Sequence, residues 1–132
     1  MKEYRAALTL QPRAEGVHQA IGRVLWAQGK MPEAAAEFEQ ELQIQPQDPE
    51  SHFYLGQYWI ASNRPLEARE HLEAASRWTK DSPDPAIALA RLYLGLNELA
   101  KAEQAAARAL DLAPRSEQAQ NLLRQVREKA KK

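Results

Sequence analysis

Residues 48–72 read DPESHFYLGQYWIASNRPLEAREHL, and this stretch decides the fold. It opens as a helix opens. Asp48 can cap the first free N–H groups, and Pro49 at the first helical position lacks only an N–H that would go unpaired anyway. Leu55 and Trp59 recur at helical spacing, and Gly56 between them keeps one face small. The run breaks at Ser62-Asn63-Arg64-Pro65, where asparagine is a residue that accepts positive φ beyond a helix end. A second helix resumes behind Pro65 through Leu66, Leu72 and Trp78. The stretch is a helix, a tight turn and a helix.

The same pattern recurs when the chain is shifted by 34 residues. Six columns stay in phase without an insertion. Ile21, Leu55, Leu89 and Leu123 are aliphatic; Gly22, Gly56 and Ala90 are small; Leu25, Trp59 and Tyr93 are large. Gly29, Asn63 and Asn97 suit a left-handed helix end, and Ala34, Ala68 and Ala102 are again small. Pro12, Pro46 and Pro114 share the last column, with Lys80 in the remaining slot. The spacing predicts helices near 15–28, 32–44, 49–62, 66–79, 83–96 and 100–112, with a lone helix at about 2–10 and a final one at about 116–130.

These columns resemble the tetratricopeptide repeat, a 34-residue helix–turn–helix unit, over essentially the whole chain. The first repeat matches its pattern with Ile21, Gly22, Leu25, Ala34, Phe38 and Pro46. The second matches with Leu55, Gly56, Trp59, Ala68, Leu72 and Ala75, and the third with Leu89, Ala90, Tyr93, Ala102, Ala106, Ala109 and Pro114. The resemblance implies an all-α, right-handed superhelical stack of antiparallel hairpins. Residues 1–14 would form the second helix of a partial repeat, 15–48, 49–82 and 83–116 three full repeats, and 117–132 a capping helix. A lone hairpin cannot bury its own apolar face, so such units are stable only when stacked. Three departures stand out: Glu41 in a small column, which asks for a looser junction or a compensating partner, Lys80 for proline, and His18, His52 and Ala86 for large apolar residues.

Composition agrees with a helical reading and removes whole classes of function. Alanine occurs 24 times against nine Val, Ile and Thr together, a helix-forming balance. The 132 residues carry 18 basic and 18 acidic side chains, which argues against a dedicated nucleic-acid binder. No apolar run is long enough to insert into a membrane. Without cysteine there is no disulfide, thiol nucleophile or Cys-based zinc site, and the redox compartment stays open. Phosphate-binding glycine loops and nucleophile-elbow or paired-histidine metal motifs are absent. His18 and His52 share a column, so packing explains them. No catalytic residue, metal or cofactor is expected.

Binding is the expected role, because in the resembled family the first helices of successive units line a concave face. Three columns point there: Gln19, Phe53, Ile87 and Asn121; Arg23, Gln57, Arg91 and Gln125; Trp26, Ile60 and Leu94, followed by Glu128. Tyr54 lies beside them. Together they make an apolar floor with polar rungs, the mixture found at interface hot spots. The alternative is that Phe53, Ile60 and Leu94 pack between neighbouring helices. Some family members clamp a chaperone tail's C-terminal carboxylate with Lys and Asn rungs. This chain offers Gln19, Arg23, Tyr54, Asp84 and Ala88 there, so that adaptor role is not expected.

The expected function is a non-catalytic scaffold that takes an extended peptide or a partner helix. Two rival readings are a self-assembly module and a regulatory or targeting segment of a larger enzyme. The last helix keeps Leu122, Leu123 and Val126 on one face, while Gln118, Arg124, Gln125 and Arg127 solvate the rest. Lys129, Lys131 and Lys132 suit its C-terminal dipole. The N-terminal helix has no such cap. Its Tyr4, Ala7, Leu8 and Leu10 are expected to associate copies into a homo-oligomer, or to meet a missing neighbour in a longer protein.

Overall fold

A computed structural model describes residues 15–131. Seven α-helices account for most of them: α1 (Val17–Ala27), α2 (Met31–Ile44), α3 (Pro49–Ala61), α4 (Pro65–Trp78), α5 (Asp84–Gly95), α6 (Leu99–Leu112) and α7 (Glu117–Ala130). No strand occurs among the described residues. Each helix lies within two residues of its expected span. The helix expected at 2–10, with Tyr4, Ala7, Leu8 and Leu10, lies outside the described residues.

The chain forms two compact bodies, one up to Ala75 and one from Ser76. In the first, α1 packs on α2 and α2 on α3. Its core holds Ile21, Leu25, Ala34, Ala35, Phe38 and Leu55, with Val17, Trp26, Leu42, Tyr54 and Tyr58 packed against it. In the second, α6 packs on both α5 and α7. Ala90, Ala102, Ala106, Ala109 and Val126 are fully buried.

The left-handed column closes all three turns in one way. Gly29, Asn63 and Asn97 have φ of 80°, 60° and 61°. The next amide in each case reaches back to the helix: Lys30 N to Leu25 O at 2.9 Å, Arg64 N to Trp59 O at 2.8 Å and Glu98 N to Tyr93 O at 2.9 Å. The inner bonds, Gly29 N to Trp26 O, Asn63 N to Ile60 O and Asn97 N to Leu94 O, complete a Schellman closure each time.

Helix starts follow a second column. Asp48 accepts from Ser51 N, and Ser116 from Ala119 N. Ser82, in the same column, accepts from Asp84 N. The first repeat has Ala14 there, and Gly16, which precedes α1, has no side chain to cap it. Glu41 on α2 fills the role: its carboxylate accepts from Gly16 N at 2.9 Å, Gln19 N at 3.1 Å and Gln45 Nε2 at 2.5 Å. The fully buried Glu41 thus finds its compensating partner in the start of α1. A charge sits there because a helix N-terminus and three donors replace its water.

Lys80 has a comparable explanation. With no proline to stop α4, residues 79–83 run irregularly. Arg108 on α6 donates Nη2 to Ser76 O at 2.9 Å and Thr79 O at 3.1 Å, satisfying carbonyls that the helix end leaves open.

Candidate functional site: the first-helix face

The expected binding columns lie on α1 and α3 in the first body and on α5 and α7 in the second. In the first body several of these side chains already have partners. Gln19 Nε2 donates to Asp48 Oδ2 at 2.7 Å, tying α1 to the cap of α3. Arg23 Nη1 lies 3.3 Å from Glu50 Oε2, an exposed ion pair between the same helices. Tyr54 stacks on Phe38 with ring centroids 4.6 Å apart and planes 6° apart. Trp26 meets Tyr54 edge-on at 5.1 Å. Trp26 and Tyr54 therefore bridge the inner face and the core rather than standing free. Phe53 and Gln57 are half-buried, and Ile60 is 44% exposed.

The second body presents a clearer recess. Arg91 and Leu94 on α5 and Asn121 and Gln125 on α7 line a single pocket of about 560 Å³. All four are expected binding residues. Leu122 and the Gly95 backbone complete the floor, and Gln118 and Lys129 its α7 side. Ile87 does not join them. At 5% exposure it belongs to the core, because its place on α5 turns it inward. Sequence reasoning gave Gln118 and Lys129 to a solvated cap, yet their spacing carried the signal. Gln118, Asn121, Leu122, Gln125 and Lys129 recur at three- and four-residue steps and so share one stripe of α7.

The histidines are structural. His18 Nδ1 lies 2.6 Å from Glu37 Oε2 across the α1–α2 hairpin. His52 on α3 meets His71 on α4, Nδ1 to Nδ1, at 3.1 Å. His52 Nε2 also lies 2.8 Å from Pro46 O, which can only accept, so that nitrogen carries the proton. Burial first, and the neighbouring His52 second, lower the His71 pKa to about 4. No group of three metal-ligating side chains occurs among the described residues, and no described helix is long and apolar enough to cross a membrane.

Known structures share this arrangement of helices. YrrB, described as a tetratricopeptide repeat (TPR) protein with an unusual peptide-binding site, superposes with a TM-score of 0.82 at 16% identity. The match covers 91% of this chain and 62% of YrrB, so the chain spans less than two thirds of that protein. The pilF protein of Pseudomonas aeruginosa gives 0.84 at 22% identity, over 98% of this chain and 60% of the other. The first TPR of Spaghetti (RPAP3), solved with the HSP90 peptide SRMEEVD, gives 0.78 at 19% identity, over 88% and 92% of the two chains. A comparison with curated proteins finds no match. Two sequence profiles described as tetratricopeptide repeat match residues 59–126 in one case and 2–49 and 20–85 in the other. Repeats of 34 residues, closed by the same turn and matched along nearly their whole length by these profiles, make the chain a member of the tetratricopeptide repeat family.

Proposed function

We propose that the chain is a non-catalytic interaction scaffold whose first-helix face binds an extended peptide segment of a partner protein. The observation that carries this reading is the α5–α7 pocket, which gathers Arg91, Leu94, Asn121 and Gln125 around an apolar floor. Apolar contact area beside arginine and amide groups is what peptide recognition uses: the floor supplies affinity and the polar rungs fix register. Family membership agrees, since these repeats generally serve as interaction modules. So do neighbours of the same fold, one described by its peptide-binding site and one solved with a peptide. In the first body Phe53, Gln57 and Ile60 are proposed as peptide contacts of the same face, with Trp26 and Tyr54 at their edge. Gln19 and Arg23 serve there mainly to join α1 to α3. Self-assembly rests on residues 1–14, outside the described structure, and no observation here favours it or the enzyme-accessory reading.

Peptide display against the purified chain tests the reading. Selected peptides should lose at least about tenfold in affinity on Leu94→Asp, which puts a charge on the pocket floor. Arg69→Glu, on the second helix of its repeat, should leave binding intact. Selected peptides that respond to Arg69→Glu and ignore Leu94→Asp would place the binding face elsewhere.

A further inference from the structure

The repeat supplies an internal comparison for the pocket. Arg23 and Arg91 stand in one column, two repeats apart. In the first body Arg23 reaches the residue 27 positions on, Glu50, in the first turn of the next first-helix. The residue 27 positions beyond Arg91 is Gln118, also in the first turn of the next such helix, α7. Arg91 and Gln118 line the same pocket. The spacing that pairs one arginine with a carboxylate recurs at the other, but the carboxylate has become a carboxamide.

Nothing else supplies the missing charge. The α7 side of the pocket is Gln118, Asn121, Gln125 and Lys129, and none of these is acidic. Glu128 is on the same helix but does not line the pocket. Among the described residues no carboxylate pairs with Arg91 or Lys129. Two cations therefore face an open recess of about 560 Å³ whose remaining polar groups are amides, and whose floor is Leu94 and Leu122. Amide N–H groups can donate to a carboxylate oxygen, as guanidinium does, and the leucines can take its methylenes.

We propose that this pocket is a carboxylate subsite: it takes a glutamate side chain of the partner's extended segment, in the place that Glu50 occupies beside Arg23 in the first repeat. The inference rests on the peptide-binding reading and adds its acid selectivity. It assigns that selectivity to the second body, because the arginine of the first is already paired. Gln118 is then a specificity-determining residue, the position where an internal carboxylate is withheld so that an external one can bind.

The probe is acetyl-Ala-Leu-Glu-Leu-Ala-amide, titrated into the ¹⁵N-labelled protein. Two controls accompany it, the same peptide with Gln for Glu, and acetyl-Ala-Leu-Gln-Leu-Ala with a free C-terminus. The Glu peptide should move the side-chain amide signals of Gln118, Asn121 and Gln125 and bind at least about tenfold more tightly than its Gln counterpart. Arg91→Ala should abolish that preference. The decisive variant is Gln118→Glu, which keeps the side chain's size, exchanges its amide donor for a carboxylate and places an acid in the first turn of α7, where a helix accepts one. It should weaken the Glu peptide at least about fivefold by supplying Arg91 with an internal partner, and leave the Gln peptide unchanged. Equal binding of the Glu and Gln peptides, or indifference to Gln118→Glu, overturns the carboxylate subsite and leaves the groove reading standing. A preference for the free C-terminus overturns the side-chain assignment. No perturbation by any peptide at millimolar concentration overturns the subsite and the groove together.

Discussion

The small column makes a quantitative claim that Gly56→Ala can test. A Cβ built at Gly56 falls 2.6 Å from Leu72 Cδ2 and 2.7 Å from Leu72 Cγ, where about 3.5–4.0 Å is normal. Leu72 is fully buried and must retreat by about 1 Å into a filled core. Overpacking of this kind costs about 1–3 kcal/mol. Replacing a helical glycine by alanine returns up to about 1 kcal/mol of backbone entropy. The net expectation is a loss of about 1 kcal/mol, at a site where alanine should otherwise stabilise. The sign should reverse when Leu72 is truncated. Leu72→Ala alone should cost about 2–5 kcal/mol. Adding Gly56→Ala to it should recover about 1 kcal/mol, since the clash is gone and the new methyl fills space. Urea unfolding of the four proteins, followed by helical circular dichroism, gives the coupling as a double-mutant cycle, expected at about 1–3 kcal/mol. An equal loss from Gly56→Ala in both backgrounds would show that Leu72 is not the reason for the glycine. The third repeat supports the logic: its equivalents, Ala90 and Ala106, trade glycine plus leucine for two alanines, and both are fully buried.

Two further outcomes are expected. Glu41→Ala restores the small residue of its column but removes the carboxylate that caps α1, and should lower stability by about 1–2 kcal/mol in urea melts; no loss would mean that water caps the helix equally well. His71 should make folding acid-sensitive. Its pKa is lowered to about 4 in the folded state from 6.5, so the unfolded chain binds more protons between those values. The stability it contributes is therefore complete above pH 6.5 and is lost as pH falls toward 4. For this half-buried ring the loss should be about 1–2 kcal/mol once solvent screening is allowed for, and His71→Leu should flatten that part of the stability profile.

Much of this molecule was legible one residue at a time. Helix ends are local: Asp48-Pro49 and Asn63 announce themselves because capping and positive φ depend on a few neighbouring atoms. The 34-residue repeat multiplies each local signal by its copies, so the hairpins and their small columns could be read without a structure. The α7 stripe that lines the pocket was equally present in the spacing of Gln118, Asn121, Gln125 and Lys129. What sequence could not supply was which side chains are already taken. Arg23 and Arg91 are identical in the column, yet one is paired with Glu50 and the other faces Gln118. Glu41 looked like a defect until α1 lay against it, and the His52–His71 contact joins residues on different helices, in different columns. Ile87 shares a column with exposed Asn121 and is itself in the core. Column membership follows from helical period, a property of one chain segment. Partnering and burial depend on what the neighbouring helix brings to within a few ångströms, and only the tertiary structure decides that.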